Sequence, residues 1–337
     1  SFKPVTKYFD RITRPEQIRQ SLPQAIQTRL DPADTGPACL SLCQDVQGEI
    51  FDYPEEFFKE RIHNIRRPKP DDFQIKQAME KIKKSKKPII ISGGGVFYSD
   101  AMDELGSFAI KHNIPVTQTV MGYSTMKRDH SHFLGPIGGL GGRAANNLAK
   151  ETDLAICVGT KLADFTTGSW ANFENPEFKL VSINIARHDA NKHLAEAVIG
   201  DAKVCLSELS NSLGNWKSPD SWHKKSQDEL KSWNEYVDKE SGPTNQETPN
   251  YAHAVGAIYR NSDPTDIAVT AAGGLVGEVV QVWRPKELNT HETEWGFSCM
   301  SYEISGALGI KMANPDKDVI AFVGDGSYLL NNSDIYS

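Results

Sequence analysis

The sequence predicts an α/β fold in which parallel sheets are flanked by helices, spread over several domains. Three observations carry this. Segments of helical periodicity alternate with short apolar runs along most of the 337 residues. The longest apolar stretches, such as residues 88–91 and 154–158, are strand-sized, and strands that alternate with helices imply a sheet covered on both faces. Glycines follow several of these runs directly, at the strand ends where parallel sheets collect ligands.

Residues 15–30 read as a helix, with Pro15 in its first turn and Ile18, Leu22, Ile26 and Leu30 at four-residue spacing. Residues 37–42 read as a short buried strand. Residues 43–71 are irregular and close on Arg66-Arg67-Pro68-Lys69-Pro70, a proline-rich stretch suited to a domain boundary. Residues 73–85 form an amphipathic helix with Ile75, Ala78, Met79 and Ile82 on one face. Its lysines, Lys81, Lys83, Lys84, Lys86 and Lys87, read as a solvated face near a helix C-terminus, where cations are favoured. A strand over 88–92 then leads to the tight loop Gly93-Gly94-Gly95 and a helix over 100–112. Further strands are expected over 114–119, 154–160 and 180–185. Residues 135–142 hold five glycines before a helix over 143–150, either as a plain lead-in or as a loop facing substrate. Trp216, Trp222 and Trp233 make residues 213–250 a packed helix and a crossover rather than a disordered linker. A helix over 251–260 and strands over 267–271 and 319–323 form a last α/β block.

Charge narrows the function. The 37 basic against 44 acidic residues give −7, which argues against nucleic acid and against an anionic membrane surface as partners. No apolar run approaches the roughly 20 residues that span a bilayer. The five cysteines are odd in number and contain no CxxC pair; Cys39 and Cys43 lack further zinc ligands. Cys157 lies in an apolar run, as a small buried hydrophobe does. Free thiols in a reducing cytoplasm are expected. The start at Ser1 and the end at Asp334-Ile335-Tyr336-Ser337 read as those of a fragment.

The strongest local signal is Val319-Ile320-Ala321-Phe322-Val323-Gly324-Asp325-Gly326-Ser327, a strand running into Gly-Asp-Gly. Gly324 and Gly326 let backbone amides approach a phosphate, and Asp325 offers a hard oxygen suited to Mg²⁺. The plain alternative is a βα turn with Asp325 capping a helix. Upstream, residues 296–309 form a turn running into a small-residue helix, and Val269-Thr270-Ala271-Ala272-Gly273-Gly274 closes another strand with glycines. These three elements are expected to converge on one sheet edge. Gly93-Gly94-Gly95 lacks the GxGxxG spacing of a dinucleotide loop. His130 and His132 flank Ser131 without a third ligand and read as surface residues. His291 is the better candidate for contact with a substrate. Asn331 and Asn332 read as turn or helix-start residues.

The trio of glycine-marked elements resembles the diphosphate-binding half of thiamine-diphosphate enzymes. The resemblance implies that Asp325 holds the metal on the diphosphate and that Met300 props the cofactor. It implies that the Ser298 carbonyl faces the aminopyrimidine and that Gly273, Gly274 and Leu275 cradle the diphosphate. Gly324, Gly326 and Ser327 complete the cofactor-binding set. Thiamine diphosphate and Mg²⁺ are the implied cofactors. Residues 1–68 would be the end of a pyrimidine-binding domain, 69–212 a central domain, 213–249 a linker helix and 250–337 the start of the diphosphate domain. Glu294-Trp295-Gly296-Phe297-Ser298-Cys299-Met300-Ser301-Tyr302-Glu303-Ile304 and Ala163-Asp164-Phe165-Thr166-Thr167-Gly168-Ser169 narrow the likeness to a branch serving bacterial inositol catabolism. That branch opens a trihydroxylated cyclic 1,2-dione to 5-deoxyglucuronate by hydrolytic carbon–carbon cleavage. An acetolactate-synthase-like carboligase and a non-catalytic nucleotide-binding α/β protein are the alternatives. The family's activating glutamate is expected upstream of Ser1 and its second metal ligand, an Asn, past Ser337. A cytoplasmic homodimer or homotetramer is implied, with a small cyclic substrate and no nucleic acid or membrane.

Overall fold

The first two strands, β1 (Tyr8–Ile12) and β2 (Ala38–Leu42), run parallel because the helix Ile18–Leu30 returns the chain between them. A computed structural model describes all 337 residues. They fall into two units, Ser1–Pro68 with Ile185–Arg187, and Lys69–Asn184 with His188–Ser337. In the first unit the helix forms as its periodicity predicts, after a 3₁₀ turn over Pro15–Gln17. Its buried positions are Ser21 and Ala25, however, not the Leu22 row; the Ser21 hydroxyl is drawn in by the Asp10 carboxylate on β1. The expected burial of residues 37–42 does not hold either. β2 pairs on one side only and is half-exposed, with Leu42 more than half accessible.

The second unit holds the main sheet. Its strands are β3 (Pro88–Ser92), β4 (Val116–Gln118), β5 (Phe133–Pro136), β6 (Leu154–Val158), β7 (Lys179–Asn184) and β8 (Glu196–Ile199). All are parallel, in the order β5-β4-β3-β6-β7-β8. Strand alternation sends Ile90, Ile156 and Val181 to one face, against Ile75, Ala78 and Ile82 of the helix Asp72–Lys84, Leu105 and Phe108 of Met102–His112, and Leu206 and Leu209 of Ala202–Leu213. Ile89, Ile91, Ala155 and Cys157 go to the other face, against Ala144, Ala145 and Leu148 of Arg143–Glu151 and Trp222 and Trp233 of Asp220–Glu240. Burial on both faces is why β6, and β3 up to its buried Ser92, are apolar runs. The tryptophan-rich stretch is thus the packed helix the sequence calls for, and the Trp222 indole N–H donates to the Pro88 carbonyl at 2.9 Å.

A smaller parallel sheet follows, β9 (Ile267–Thr270) between β10 (His291–Thr293) and β11 (Val319–Ala321). Tyr259, at the end of the helix Tyr251–Asn261, ties this block to the main sheet's loops. The Arg128 guanidinium donates to its hydroxyl at 2.5 Å, and the hydroxyl donates to the Arg284 carbonyl at 3.0 Å. Lys286 and Arg284 lie 4.6 and 5.7 Å from the ring centre. Arg284 in turn pairs with Asp238 and Asn234 of the Asp220–Glu240 helix. No helix is long and apolar enough to cross a membrane. All five cysteines are free, with Cys157 and Cys205 buried. Tyr259→Phe removes the hydroxyl that both accepts from Arg128 and donates to Arg284, so it should lower the unfolding free energy by about 1–2 kcal/mol in urea titrations.

Candidate functional site

The pairing of β9 with β11 sets Ala268 beside Ile320 and Val269 beside Ala321, and the Phe322 amide extends the ladder to the Val269 carbonyl at 2.9 Å. Both strands therefore end at the same edge. The Gly273-Gly274 turn and the Gly324-Asp325-Gly326 turn become neighbours there, each opening a helix, Gly274–Val282 and Asp325–Asn331. Gly273 has φ +83°, and a β-carbon on Gly273 or Gly324 would have no atom within 4 Å. Open space thus lies in front of both turns, beside helix-start amides that favour an anion.

The segment 298–303 touches both turns. The Ser298 hydroxyl lies 3.5 Å from the Ala271 carbonyl, and the Ser301 hydroxyl donates to the Ser327 carbonyl at 2.6 Å. The Met300 Cε stands 3.0 Å from where a Gly326 β-carbon would be. Ser298 and Ser301 both hold left-handed backbone, φ 52° and 78°, a strain of order 1–3 kcal/mol each that the surroundings must impose. Glu294 imposes part of it. Its carboxylate accepts the Phe297 amide at 2.8 Å and the Cys299 amide at 2.6 Å, clamping the turn on either side of Ser298. Burial raises this acid, but those amide donations outweigh it and the net shift is downward.

The structure thus brings Gly273, Gly274, Leu275, Ser298, Met300, Gly324, Asp325, Gly326 and Ser327 to one edge. Asp325 is exposed there, as a single carboxylate. No group of three or more His, Cys, Asp or Glu side chains is placed to hold a metal by itself. The donor set at Asp325 fits an oxygen-seeking cation that shares its coordination with phosphate oxygens. Asn331 ends the helix Asp325–Asn331 and Asn332 caps the next turn.

His291 lies apart from this set. Its ring is 4% exposed, edge-on to Tyr123 with ring centres 5.3 Å apart, and 3.4 Å from the Thr270 hydroxyl. Burial alone pushes it down to about 4, so it is neutral at neutral pH. His130 and His132 are not the surface pair expected. His132 is buried, stacks 4.1 Å from the His223 ring and meets the Asn113 side chain at 3.2 Å. The Gly93 loop serves packing. The Gly93 amide donates to the Val158 carbonyl and the Gly95 amide to the Gly159 carbonyl, both at 2.9 Å. A β-carbon on Gly95 would lie 2.6 Å from the Gly159 α-carbon. The chain's own backbone therefore fills the crevice between β3 and β6, where a dinucleotide fold takes its ligand. The glycines of 135–142 likewise allow close packing: the Gly139 amide donates to the Phe165 carbonyl at 2.7 Å, and Leu140 lies against Gly277.

Sequence reasoning misses Glu303. This carboxylate is fully buried in the helix Tyr302–Ala313, one oxygen accepting the Ala272 amide at 3.3 Å and the other without a partner. It anchors the 271–274 turn from below. The signal available was an acid among small and apolar residues, where an unpaired charge is costly.

Residues 75–209 match the family model of the thiamine pyrophosphate enzyme central domain, and residues 271–336 that of the C-terminal TPP binding domain. The chain belongs to the thiamine pyrophosphate enzyme family. Its curated relatives include the 3D-(3,5/4)-trihydroxycyclohexane-1,2-dione hydrolases of Clostridium perfringens, 40% identical over 358 residues, and of Clostridium botulinum, 40% identical over 357 residues. That of Bacillus licheniformis is 39% identical over 366 residues. Each alignment covers 99% of this chain and 56% of the relative, so the chain spans little more than half their length.

Two outcomes follow from the buried acid and the buried imidazole. Glu303→Leu deprives the Ala272 amide of its acceptor and should weaken thiamine diphosphate binding by more than about tenfold in calorimetry, whereas Glu303→Gln, which keeps an acceptor, should stay close to the parent. His291 and His132, both pushed down to about 4, bind protons in the unfolded chain at a pH where the folded chain excludes them. Stability should therefore fall as pH drops from about 6.5 towards 4, by on the order of 2 kcal/mol per group, and His291→Gln should flatten that slope in urea titrations.

Proposed function

We propose that this chain carries the diphosphate-binding half of a thiamine-diphosphate- and Mg²⁺-dependent hydrolase that opens a trihydroxylated cyclohexane-1,2-dione. The observation that carries the reading is the convergence of the 273–275 and 324–327 turns and the 298–300 loop on one sheet edge. The named activity of the relatives supports the substrate. In this reading the amides of Gly273, Gly274 and Leu275 and of Gly324, Gly326 and Ser327 take the diphosphate, and Asp325 takes the metal. Met300 supports the cofactor, and the Ser298 backbone, held by Glu294, presents a fixed carbonyl to its aminopyrimidine. The open space before Gly273 and Gly324 fits such a group.

When bound, thiamine diphosphate supplies a nucleophilic carbon and an electron sink for the cleaved bond; the protein supplies position and charge. The net reaction adds water across the bond between the two carbonyl carbons, one becoming a carboxylic acid and the other an aldehyde. Glu294 and Glu303 keep the loop and turn in place, so no side chain need reorganise when the diphosphate arrives. The central domain runs over 69–212 and the diphosphate domain over 250–337, joined by 213–249. The resemblance adds a cytoplasmic homodimer or homotetramer acting in myo-inositol degradation, with His291 near the substrate. The filled crevice between β3 and β6 supports this reading over a nucleotide-binding protein.

In titrations of the full-length protein, thiamine diphosphate with Mg²⁺ should give binding heat, and Asp325→Ala should weaken it by more than about tenfold and remove its dependence on Mg²⁺. The parent should turn over the cyclic dione and not pyruvate. Absence of binding heat would sink the reading, and turnover of pyruvate alone would move it to a carboligase.

A further inference from the structure

A second recess lies along β10. Gly94, Phe97 and Tyr98 follow β3, Met121 follows β4, and Glu292 and Thr293 line the same recess from β10, around a cavity of about 100 Å³. The recess sits at the carboxyl end of the main parallel sheet, the end at which such sheets take ligands. It is not the crevice between β3 and β6, which the glycine loops fill.

We propose that this cleft seats the polyhydroxylated ring of the substrate, with Glu292 and Thr293 reading its hydroxyl groups. The inference rests on the proposed function and names residues for its substrate. Thr293 is 4% exposed, and its hydroxyl oxygen is buried without a hydrogen-bond partner. A buried hydroxyl is seldom left unpaired, and this one can both donate and accept. Glu292 is half-buried and makes no ion pair, and burial raises its acid above the ordinary range. Opposite stand Phe97, Tyr98 and Met121, which present apolar and aromatic surface. An apolar wall facing an acid and a hydroxyl suits a six-membered ring that carries C–H bonds on its face and hydroxyls on its rim.

The cleft adjoins the cofactor loop through the chain itself. Thr293 leads directly to Glu294, which clamps the turn around Ser298. Tyr302 bridges the two regions: its phenol is raised by burial and then by the charges of Glu292 and Glu294 and by Tyr98, and it also borders the recess beside Met300. A ring held at Glu292 would lie one strand end away from the loop that carries the cofactor.

The test uses the full-length protein with Glu292→Gln, Thr293→Val and Thr293→Ser. The two deletions of function should raise KM for the cyclic dione by at least about tenfold while leaving the thiamine diphosphate Kd within about twofold, and Thr293→Ser should stay near the parent. Melting curves check that each variant folds. Unchanged KM in both deletion variants would overturn the cleft, as would a rise in Thr293→Val that Thr293→Ser fails to repair. Binding of unreactive myo-inositol, read by saturation-transfer NMR, separates this from the parent reading. If the dione is not turned over at all, myo-inositol binding that is lost in Glu292→Gln and Thr293→Val keeps the cleft as a polyol site. Absent binding, or binding that both variants retain, removes it.

Discussion

The parallel pairing of β9 with β11 is the constraint on which the site depends. Residues 267–270 and 319–321 are some fifty positions apart in the chain, yet their ladder fixes both strand ends at one edge. The two glycine turns have no other reason to meet. Once they do, the intervening segment must cross the same edge, and the contacts of Ser298 with Ala271 and of Ser301 with Ser327 hold it there. The positive φ values at Ser298 and Ser301 are the cost of that crossing.

Two buried or half-buried acids make this arrangement rigid. Glu294 satisfies amides within its own turn, and Glu303 reaches back 31 residues to the Ala272 amide. Neither needs to touch a ligand to matter, since each fixes backbone that would. The Tyr259 cluster does the same on a larger scale, joining the loops of the main sheet to the small one through Arg128, Arg284 and Asp238.

Much of this was legible in the sequence, for physical reasons that differ by element. β3 and β6 announce themselves because burial on both faces leaves mostly apolar side chains. The Gly273 turn does so because its positive φ favours glycine, and the Gly324 turn because Gly-Asp-Gly follows an apolar strand directly. β10 was not legible: His291-Glu292-Thr293 is three residues long and largely polar, and its strand state comes from register with Ala268, Val269 and Thr270. β5, ending in Gly135-Pro136, and the short edge strand β8 were hidden likewise. The helix Ile18–Leu30 was legible from its four-residue spacing, whereas the burial of Ser21 was not, since it bonds to Asp10 on another element. His132 read as a surface residue because nothing local reveals that His223 will stack on it. Glu303 escaped for the same reason, since its partner is set by the tertiary fold alone.

The most direct test of the account is a crystal structure of the full-length protein with thiamine diphosphate and Mn²⁺ in place of Mg²⁺. An anomalous scattering peak is expected beside the Asp325 carboxylate, with the diphosphate against the turns at Gly273 and Gly324 and the cofactor resting on Met300. A manganese peak elsewhere, or a diphosphate bound away from the edge shared by β9 and β11, would contradict it.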